Sequence, residues 1–314
     1  MNVNALRDLV KEHALPDEFI STVERCYCPV AASIAEKSRS MQTSCFVGVQ
    51  GCQGSGKSTM AAFLKSILEN EYALTTAVVS IDDFYLTKAE REKLACEVHP
   101  LLATRGVPGT HDIALAEQTM GELRQAFHAS DSQQVSIPQF NKASDDRHSE
   151  SEWAKAIGSV QVIILEGWCV GLGPQEPSEL IAPANALEQE QDKDAVWRTY
   201  VNNKLAGEYR KLFSGIDLFV VLNAPSFDAV YEWRLLQEKK LIEKIGASGH
   251  SLNGLNTMSP EDIRIFISHY QRLTEHALQS LYKEADWVLQ LKQDHSITSV
   301  IQNVKKTSTS EVTH

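Results

Sequence analysis

One octapeptide constrains the fold of this chain more than any other feature: residues 51–58 read Gly-Cys-Gln-Gly-Ser-Gly-Lys-Ser. The sequence matches the pattern G-x-x-x-x-G-K-[S/T] at every fixed position. A short apolar, β-prone run precedes it (residues 44–50), and apolar residues at helical spacing follow it (residues 58–68). A strand, a glycine-rich turn and a helix start direct backbone N–H groups at one anion. The octapeptide therefore predicts a loop that binds the phosphates of a nucleoside triphosphate.

Each part of this loop has an expected role in binding ATP and Mg²⁺. The glycines allow positive φ and a close approach of backbone to phosphate. Lys57 is expected to reach the β- and γ-phosphates, and the Ser58 hydroxyl to ligate Mg²⁺. The expected nucleotide-binding residues are Gly51, Gln53, Gly54, Ser55, Gly56, Lys57, Ser58 and Thr59.

The rest of the chain alternates β-prone runs with helix-like segments. The runs cover residues 77–81, 162–168, 216–222 and 287–291. Such alternation predicts a three-layer α/β fold, a parallel sheet covered by helices on both faces. With the phosphate-binding loop, this is the P-loop nucleoside triphosphate hydrolase fold. Residues 171–194 are rich in Pro, Gln and Glu and are predicted to be a solvated excursion.

Composition excludes several other classes of protein. Lys and Arg number 30 against 41 Asp and Glu, a net charge of -11, which disfavours a nucleic-acid-binding surface. No apolar run approaches the ~20 residues that span a bilayer, and residues 1–15 are too polar for a signal peptide. The six cysteines are scattered along the chain, which favours reduced thiols in a cytoplasmic protein.

Two core strands are predicted to end in carboxylates, at the sheet edge where α/β proteins bind ligands. The second strand is followed by Asp82 and Asp83, and the third ends at Glu166. Phosphoryl transfer to a hydroxyl needs a carboxylate near the attacking oxygen. Because neighbours on a strand point to opposite sides, we expect Asp82 to be the base and Asp83 to bind a Mg²⁺-bound water or hydrogen-bond locally. Alternatively, both acids cap the following turn.

Several motifs together resemble the D-glycerate 3-kinase family, within the wider uridine kinase, phosphoribulokinase and pantothenate kinase group. The resemblance covers about residues 40–290. Besides the phosphate loop, the motifs are Ser80-Ile81-Asp82-Asp83-Phe84-Tyr85, Arg105-Gly106-x-Pro108-Gly109-Thr110-His111-Asp112, Ile164-Leu165-Glu166-Gly167-Trp168, Trp233-Arg234-x-x-Gln237-Glu238 and a late helix with Phe266 and Tyr270.

The resemblance implies an ATP-dependent kinase that converts D-glycerate to 3-phosphoglycerate. It implies Asp82 as the base, Glu166 beside Mg²⁺ and Arg234 as a lid cation, so Ser58, Asp82 and Glu166 are the expected metal ligands and Lys57 is expected to act in catalysis. Gln237 stands where the wider group has a second lid arginine. Lys239 or Lys240 could replace that arginine.

The residues of the acceptor site are predicted from the chemistry of D-glycerate, a small hydroxy acid. Its carboxylate needs a fork-like cation, which Arg supplies, and its hydroxyls need polar partners. The expected substrate-binding residues are Asp83, Tyr85, Arg105, His111, Asp112, Lys142 and Arg147. For each loop residue taken singly, a solvated charge or a local cap is an equal alternative.

Other functions stay open at this point. The chain could phosphorylate another hydroxylated metabolite, such as a nucleoside or a pantothenate-like acceptor, or be an accessory ATPase without an acceptor. In the kinase interpretation, residues 1–40 form a helical extension packed on the core, residues 41–292 form the P-loop kinase domain, and residues 293–314 form a polar tail.

Overall fold

The computed structural model describes residues 2–130, 132–247 and 258–303. The strands are β1 (Cys45–Gly51), β2 (Thr76–Ser80), β3 (Gln134–Ile137), β4 (Phe140–Asn141), β5 (Asp146–Arg147), β6 (Ala154–Ile157), β7 (Val162–Gly167), β8 (Leu218–Asn223), β9 (Trp287–Leu291) and β10 (Ile297–Gln302). The α-helices are α1 (Val3–Glu12), α2 (Phe19–Thr22), α3 (Cys28–Arg39), α4 (Lys57–Tyr72), α5 (Lys88–Glu97), α6 (Ile113–Gln125), α7 (Ala186–Gln191), α8 (Val196–Lys204), α9 (Arg210–Phe213), α10 (Phe227–Ala247) and α11 (Pro260–Glu284). Within the described ranges, no helix combines the length and apolar character needed to cross a membrane.

The main sheet has six strands in the order β10-β9-β8-β1-β7-β2. All neighbouring pairs are parallel except β9 and β10, which are antiparallel. All five strands predicted from the sequence belong to this sheet, and the predicted α/β P-loop fold is confirmed. Because β1, β2 and β7 are parallel neighbours, their carboxyl ends meet at one edge of the sheet.

The sheet has an apolar core on each face, as the side-chain alternation of its strands requires. In β7, Ile163 and Leu165 belong to one core, whereas Val162 and Ile164 belong to the other. Side chains of α6, α8 and α11 complete the first core. The second core includes Phe63 of α4 together with buried residues of α1, α3 and α10. The N-terminal helices are thus part of the layer that covers the phosphate-loop helix.

Residues 171–194 differ from the predicted solvated excursion. The segment contains α7 and a 3₁₀ turn at Pro177–Leu180, and Glu188 and Asp192 are buried. Glu188 accepts two hydrogen bonds from Arg272 of α11, at 2.7 and 2.6 Å. Asp192 pairs with Arg198 of α8 at 2.9 Å. An arginine partner for each acid makes its burial tolerable.

The prediction of a polar tail from residue 293 onward is wrong for residues 297–302. Ile297–Gln302 form β10, which pairs with β9 and places Ile297 opposite Leu291. Ile297 is buried in the second core, whereas Thr298 and Ser299 are exposed. An edge strand needs few apolar residues, and the apolar periodicity of residues 297–302 is too weak to predict a strand. Residues 304–314 lie outside the described part of the chain.

Candidate active site

The phosphate loop joins the end of β1 to the start of α4, as its sequence predicts. Gly54 and Gly56 have φ values of +81° and +88°, a left-handed conformation that favours glycine. A Cβ atom on Gly51 would lie 2.4 Å from Ser55 Oγ, and one on Gly54 would lie 2.6 Å from Trp233 Cβ. Backbone conformation and close packing therefore both require glycine in this loop.

Glu166 lies beside the phosphate loop, on the strand that pairs with β1. Its Oε1 accepts a hydrogen bond from Ser58 Oγ at 2.9 Å, and its Oε2 lies 4.0 Å from Lys57 Nζ. The residue is 5% exposed, and its Oε2 receives no hydrogen bond from any described residue. A buried carboxylate oxygen without a donor is costly, and a cation bound with the nucleotide would satisfy it.

Asp82 follows β2 in a 3₁₀ turn, Ile81–Phe84, and lines the same cleft as Lys57 and Ser58 of the phosphate loop. Its Oδ1 accepts from the Tyr85 hydroxyl at 3.0 Å, and its Oδ2 accepts from Lys142 Nζ at 2.8 Å. Burial favours the neutral acid, but the charges of Lys142 and Lys57 outweigh burial and hold the pKa of Asp82 well below its usual range. The carboxylate is therefore ionised at neutral pH.

Asp83 has a different environment from its neighbour. Its Oδ1 accepts the backbone N–H of Phe140 at 3.1 Å, which fixes the β4–β5 hairpin (residues 140–147) beside the turn. Burial raises the pKa of Asp83 to about 6. The carboxylate is absent from the cleft lining. The geometry thus gives Asp83 a supporting contact and leaves Asp82 as the acid of this pair that faces the cleft.

The cleft between the phosphate loop and the loops that carry Arg105 and Lys142, here called the acceptor loops, has a volume of about 420 Å³. Four cationic side chains and one carboxylate line it, together with aromatic rings. The lining residues are Gln53, Gly54, Lys57, Ser58, Asp82, Tyr85, Arg105, Lys142, Trp168, Arg234, Gln237, Phe266 and Tyr270. A surplus of cations in a small cleft suits an anionic nucleotide together with a small anionic acceptor.

Arg105 is held at the cleft by contacts from distant parts of the chain. Its guanidinium donates to Asp145 and lies 5.6 Å from the centre of the Phe140 ring. Its carbonyl accepts from the Tyr270 hydroxyl at 3.1 Å. The next residue, Gly106, has a φ of +139°, and a Cβ atom there would lie 2.1 Å from the same hydroxyl. This packing explains the Arg-Gly pair in the sequence motif.

Besides Asp83, three further predicted substrate-binding residues are absent from the cleft lining: His111, Asp112 and Arg147. The ring of His111 stacks on Tyr85 at 4.4 Å, and its Nδ1 lies 2.6 Å from the Tyr209 hydroxyl; burial lowers the pKa of His111 to about 4. Asp112 caps α6 by accepting the Leu115 N–H at 3.0 Å.

The third of these residues, Arg147, donates to the Tyr85 carbonyl at 3.0 Å and to Asp112 at 3.4 Å. His111 Nδ1, the Asp112 carboxylate and Arg147 Nη2 are thus engaged within the protein, and none of the three residues lines the cleft. Their contacts instead hold Tyr85, whose hydroxyl binds Asp82.

The expected lid cation, Arg234 of α10, does line the cleft. Its guanidinium pairs with Glu238 at 2.8 Å and lies 5.9 Å from the centre of the Phe266 ring. Gln237, which stands in place of a second lid arginine, also lines the cleft. Lys239 is exposed, and the side chain of Lys240 lies outside the described residues.

Sequence reasoning missed the residues that hold the acceptor loops in place. Arg91 is 1% exposed and donates to the carbonyls of Leu86, Ala103 and Asp145, at 2.7 to 3.2 Å. Its guanidinium also pairs with the Asp145 carboxylate at 3.0 Å. In the sequence Arg91 lies in a highly charged helix, where nothing distinguishes it from its solvated neighbours. Phe266 and Tyr270 are four residues apart on α11, a spacing that could have shown that both rings share one helix face.

Comparison with known proteins finds relatives among kinases. No protein-family model matches the chain. An uncharacterized kinase of Schizosaccharomyces pombe, mug58, is 36% identical over 232 residues, which cover 71% of this chain and 77% of that protein. The chloroplastic D-glycerate 3-kinase of Arabidopsis thaliana is 29% identical, over 82% of this chain and 54% of that protein.

Solved structures are similar over most of the fold. The structure of a D-glycerate 3-kinase from Cryptococcus neoformans superimposes with a TM-score of 0.69 and 26% identity, over 87% of this chain and 96% of that one. Together with the phosphate loop and the strand-end carboxylates, these relationships identify an ATP-dependent phosphotransferase that acts on a hydroxyl of a small molecule. The chain belongs to the D-glycerate 3-kinase family of P-loop kinases.

Proposed function

We propose that this kinase transfers the γ-phosphate of ATP to a hydroxyl of D-glycerate and forms 3-phosphoglycerate. One observation carries the proposal: a single small cleft contains the phosphate-loop lysine, the ionised Asp82 and two cations, Arg105 and Lys142, on the acceptor side. The D-glycerate 3-kinases of Arabidopsis and Cryptococcus, which are similar in sequence and structure, support the choice of acceptor.

On the nucleotide side, we assign the phosphates to the backbone of residues 51–58 and to Lys57, with Arg234 as the lid cation. Ser58, Glu166 and Asp82 would hold Mg²⁺, and the buried Glu166 Oε2 that receives no hydrogen bond from described residues fits that role. Among the described residues no cluster of three or more His, Cys, Asp or Glu could hold a metal unaided. Mg²⁺ commonly binds through one or two carboxylates and substrate phosphates, and when bound it neutralises charge on the β- and γ-phosphate oxygens.

Asp82 is the proposed general base. It would accept the proton of the acceptor hydroxyl as that oxygen bonds to the γ-phosphorus and the bond to the β-phosphate oxygen breaks, which releases ADP. The Tyr85 hydroxyl, 3.0 Å from Oδ1, orients the carboxylate. A carboxylate whose pKa is held far below its usual range is a weak base. The interaction with Lys142 must therefore weaken before transfer.

We assign the acceptor carboxylate to Arg105 and Lys142. Without an acceptor, Arg105 pairs with Asp145 and Lys142 pairs with Asp82. An incoming carboxylate offers Lys142 an alternative partner, and the loss of that lysine from Asp82 raises the basicity of the catalytic carboxylate. This exchange would couple acceptor binding to activation of the base, and it would disfavour uncharged acceptors and water.

An acceptor panel tests the proposal. Purified protein is incubated with ATP, Mg²⁺ and, separately, D-glycerate, L-glycerate, glycerol, uridine or pantothenate, and ADP is measured. We expect ADP formation to depend on D-glycerate, with glycerol as the matched control in which a hydroxymethyl group replaces the carboxylate. In the proton-coupled phosphorus NMR spectrum, phosphate on the terminal carbon gives a triplet and phosphate on the central carbon a doublet. ADP formation that ignores glycerate, or that responds instead to uridine or pantothenate, would overturn the assignment.

A further inference from the structure

The turn between β9 and β10 reaches the phosphate loop from the far end of the chain. His295 Nε2 lies 2.8 Å from the carbonyl oxygen of Gly54. The turn is ordered by its own backbone, because Lys292 and His295 donate N–H groups to Ser296 and Lys292 at 2.9 and 3.0 Å. His295 itself has a φ of +66°. The carbonyl can only accept, so the imidazole N–H is the donor.

Trp233 of α10 joins the same contact. Its ring stacks on the His295 imidazole at 4.4 Å with an interplanar angle of 26°. The indole N–H donates to the Gln293 carbonyl at 2.6 Å, which fixes the turn to α10. The Trp233 Cβ lies so close to Gly54 that a side chain at that glycine would clash. Helix, turn and phosphate loop therefore meet at Gly54.

The peptide between Gly54 and Ser55 is consequently held at both of its polar groups. Its carbonyl accepts from His295, and its N–H donates to the Cys52 carbonyl at 3.1 Å. A planar peptide with both groups engaged cannot rotate without breaking one hydrogen bond. These two hydrogen bonds favour one orientation of the Gly54–Ser55 peptide, and a loop that is ordered in advance lowers the ordering cost of binding.

We propose that His295 is a positioning residue for the nucleotide: through its hydrogen bond to the Gly54 carbonyl, it maintains the phosphate loop in the shape that binds the triphosphate. His295 is absent from the cleft lining and acts through the loop backbone. The role is independent of which acceptor the kinase uses. It also gives the β9–β10 hairpin a function in nucleotide affinity.

Three variants and one matched control test this role by calorimetric binding of ADP and by steady-state kinetics. His295→Ala removes the donor and the stacking, His295→Phe retains a ring, and His295→Gln retains an N–H donor. Gln293→Ala is the control, because it changes the same turn while leaving the backbone carbonyl that binds Trp233. The net value of one hydrogen bond corresponds to about a threefold to tenfold change in a binding constant.

We expect His295→Ala and His295→Phe to weaken ADP binding and raise the KM for ATP by about threefold to tenfold, with the acceptor KM unchanged. His295→Gln should recover part of this loss, and Gln293→Ala should bind ADP as the wild type does. Wild-type ADP affinity in all four variants would overturn the role, as would equal losses of ADP affinity in His295→Phe and His295→Gln. Should the Ala variant fail to fold, the comparison of Phe with Gln still decides the outcome.

Discussion

Replacement of Asp82 by Asn is the sharpest test of the proposed chemistry, because it removes the charge and basicity with little change in shape. The amide oxygen can still accept from the Tyr85 hydroxyl, which lies 3.0 Å from Oδ1. Lys142 loses its ionic partner but lies on an exposed hairpin, where its side chain is 62% exposed and readily hydrated. The phosphate loop, Lys57, Ser58 and Glu166 keep their groups for the phosphates and Mg²⁺ in this variant, so ATP binding should persist.

The expected loss is a factor of about 10² to 10⁴ in turnover, the range for general-base catalysis. This corresponds to about 3–5 kcal/mol of transition-state stabilisation, at about 1.4 kcal/mol per factor of ten. Since the pKa of Asp82 is held below its usual range, protonation of this base should not limit the wild-type rate between about pH 5 and 8. Only at more acidic pH would the free enzyme lose its base.

The assay is acceptor-dependent ADP formation, with ATP affinity measured separately by calorimetry. Asp83→Asn is the matched control: an amide oxygen can still accept the Phe140 N–H, and the carboxylate is absent from the cleft lining. Its turnover should stay within about tenfold of the wild type, well above that of Asp82→Asn. Near-normal turnover of Asp82→Asn would refute the base assignment, and an equal loss in both variants would show that the turn matters only as a structural unit.

Three further predictions follow from charges whose surroundings the structure defines. Lys142→Met should raise the acceptor KM by about tenfold or more, because a charge-assisted hydrogen bond is lost, while the KM for ATP changes little; a change confined to ATP would move this lysine to the nucleotide side. Arg272→Met should lower the free energy of unfolding by about 3–5 kcal/mol, since it leaves Glu188 buried without its charged partner. A free energy of unfolding in urea within about 1 kcal/mol of the wild-type value would contradict this reasoning. Burial lowers the pKa of His111 to about 4, so the unfolded chain binds a proton that the folded chain does not, and stability is lost as pH falls from about 6.5 to 4. Over that range the free energy of unfolding of His111→Gln, measured in urea, should fall by about 3 kcal/mol less than that of the wild type. Identical pH dependence of the two proteins would contradict a neutral buried imidazole.

The local sequence was enough to predict those parts of the structure that depend on adjacent residues. The octapeptide at residues 51–58 dictates a strand, a glycine turn and a helix start, because its backbone conformations are open mainly to glycine. The ends of β2 and β7 were predictable for a related reason. Once parallel strands are recognised, their carboxyl ends share one edge of the sheet, and Asp82 and Glu166 lie near the same loop.

Sequence could not decide which charged loop residues face the cleft. Arg105 and Arg147 both lie in polar loops, yet Arg105 lines the cleft whereas Arg147 binds the Tyr85 carbonyl and Asp112. The difference depends on partners far along the chain, such as Asp145, which is 40 residues from Arg105. A charged side chain takes whichever partner the fold supplies, and periodicity carries no information about that choice.

The sequence by itself predicted that this chain binds a triphosphate with carboxylates beside it, because the phosphate loop and the strand-end acids are local features. Only the tertiary structure decided how the loop is supported and which residues face the acceptor. His295 and Gly54 are 241 residues apart, and their contact requires β10, a strand that the polar C-terminal sequence concealed. Such contacts form only when the sheet assembles, since the free energy that fixes them comes from packing of the whole core.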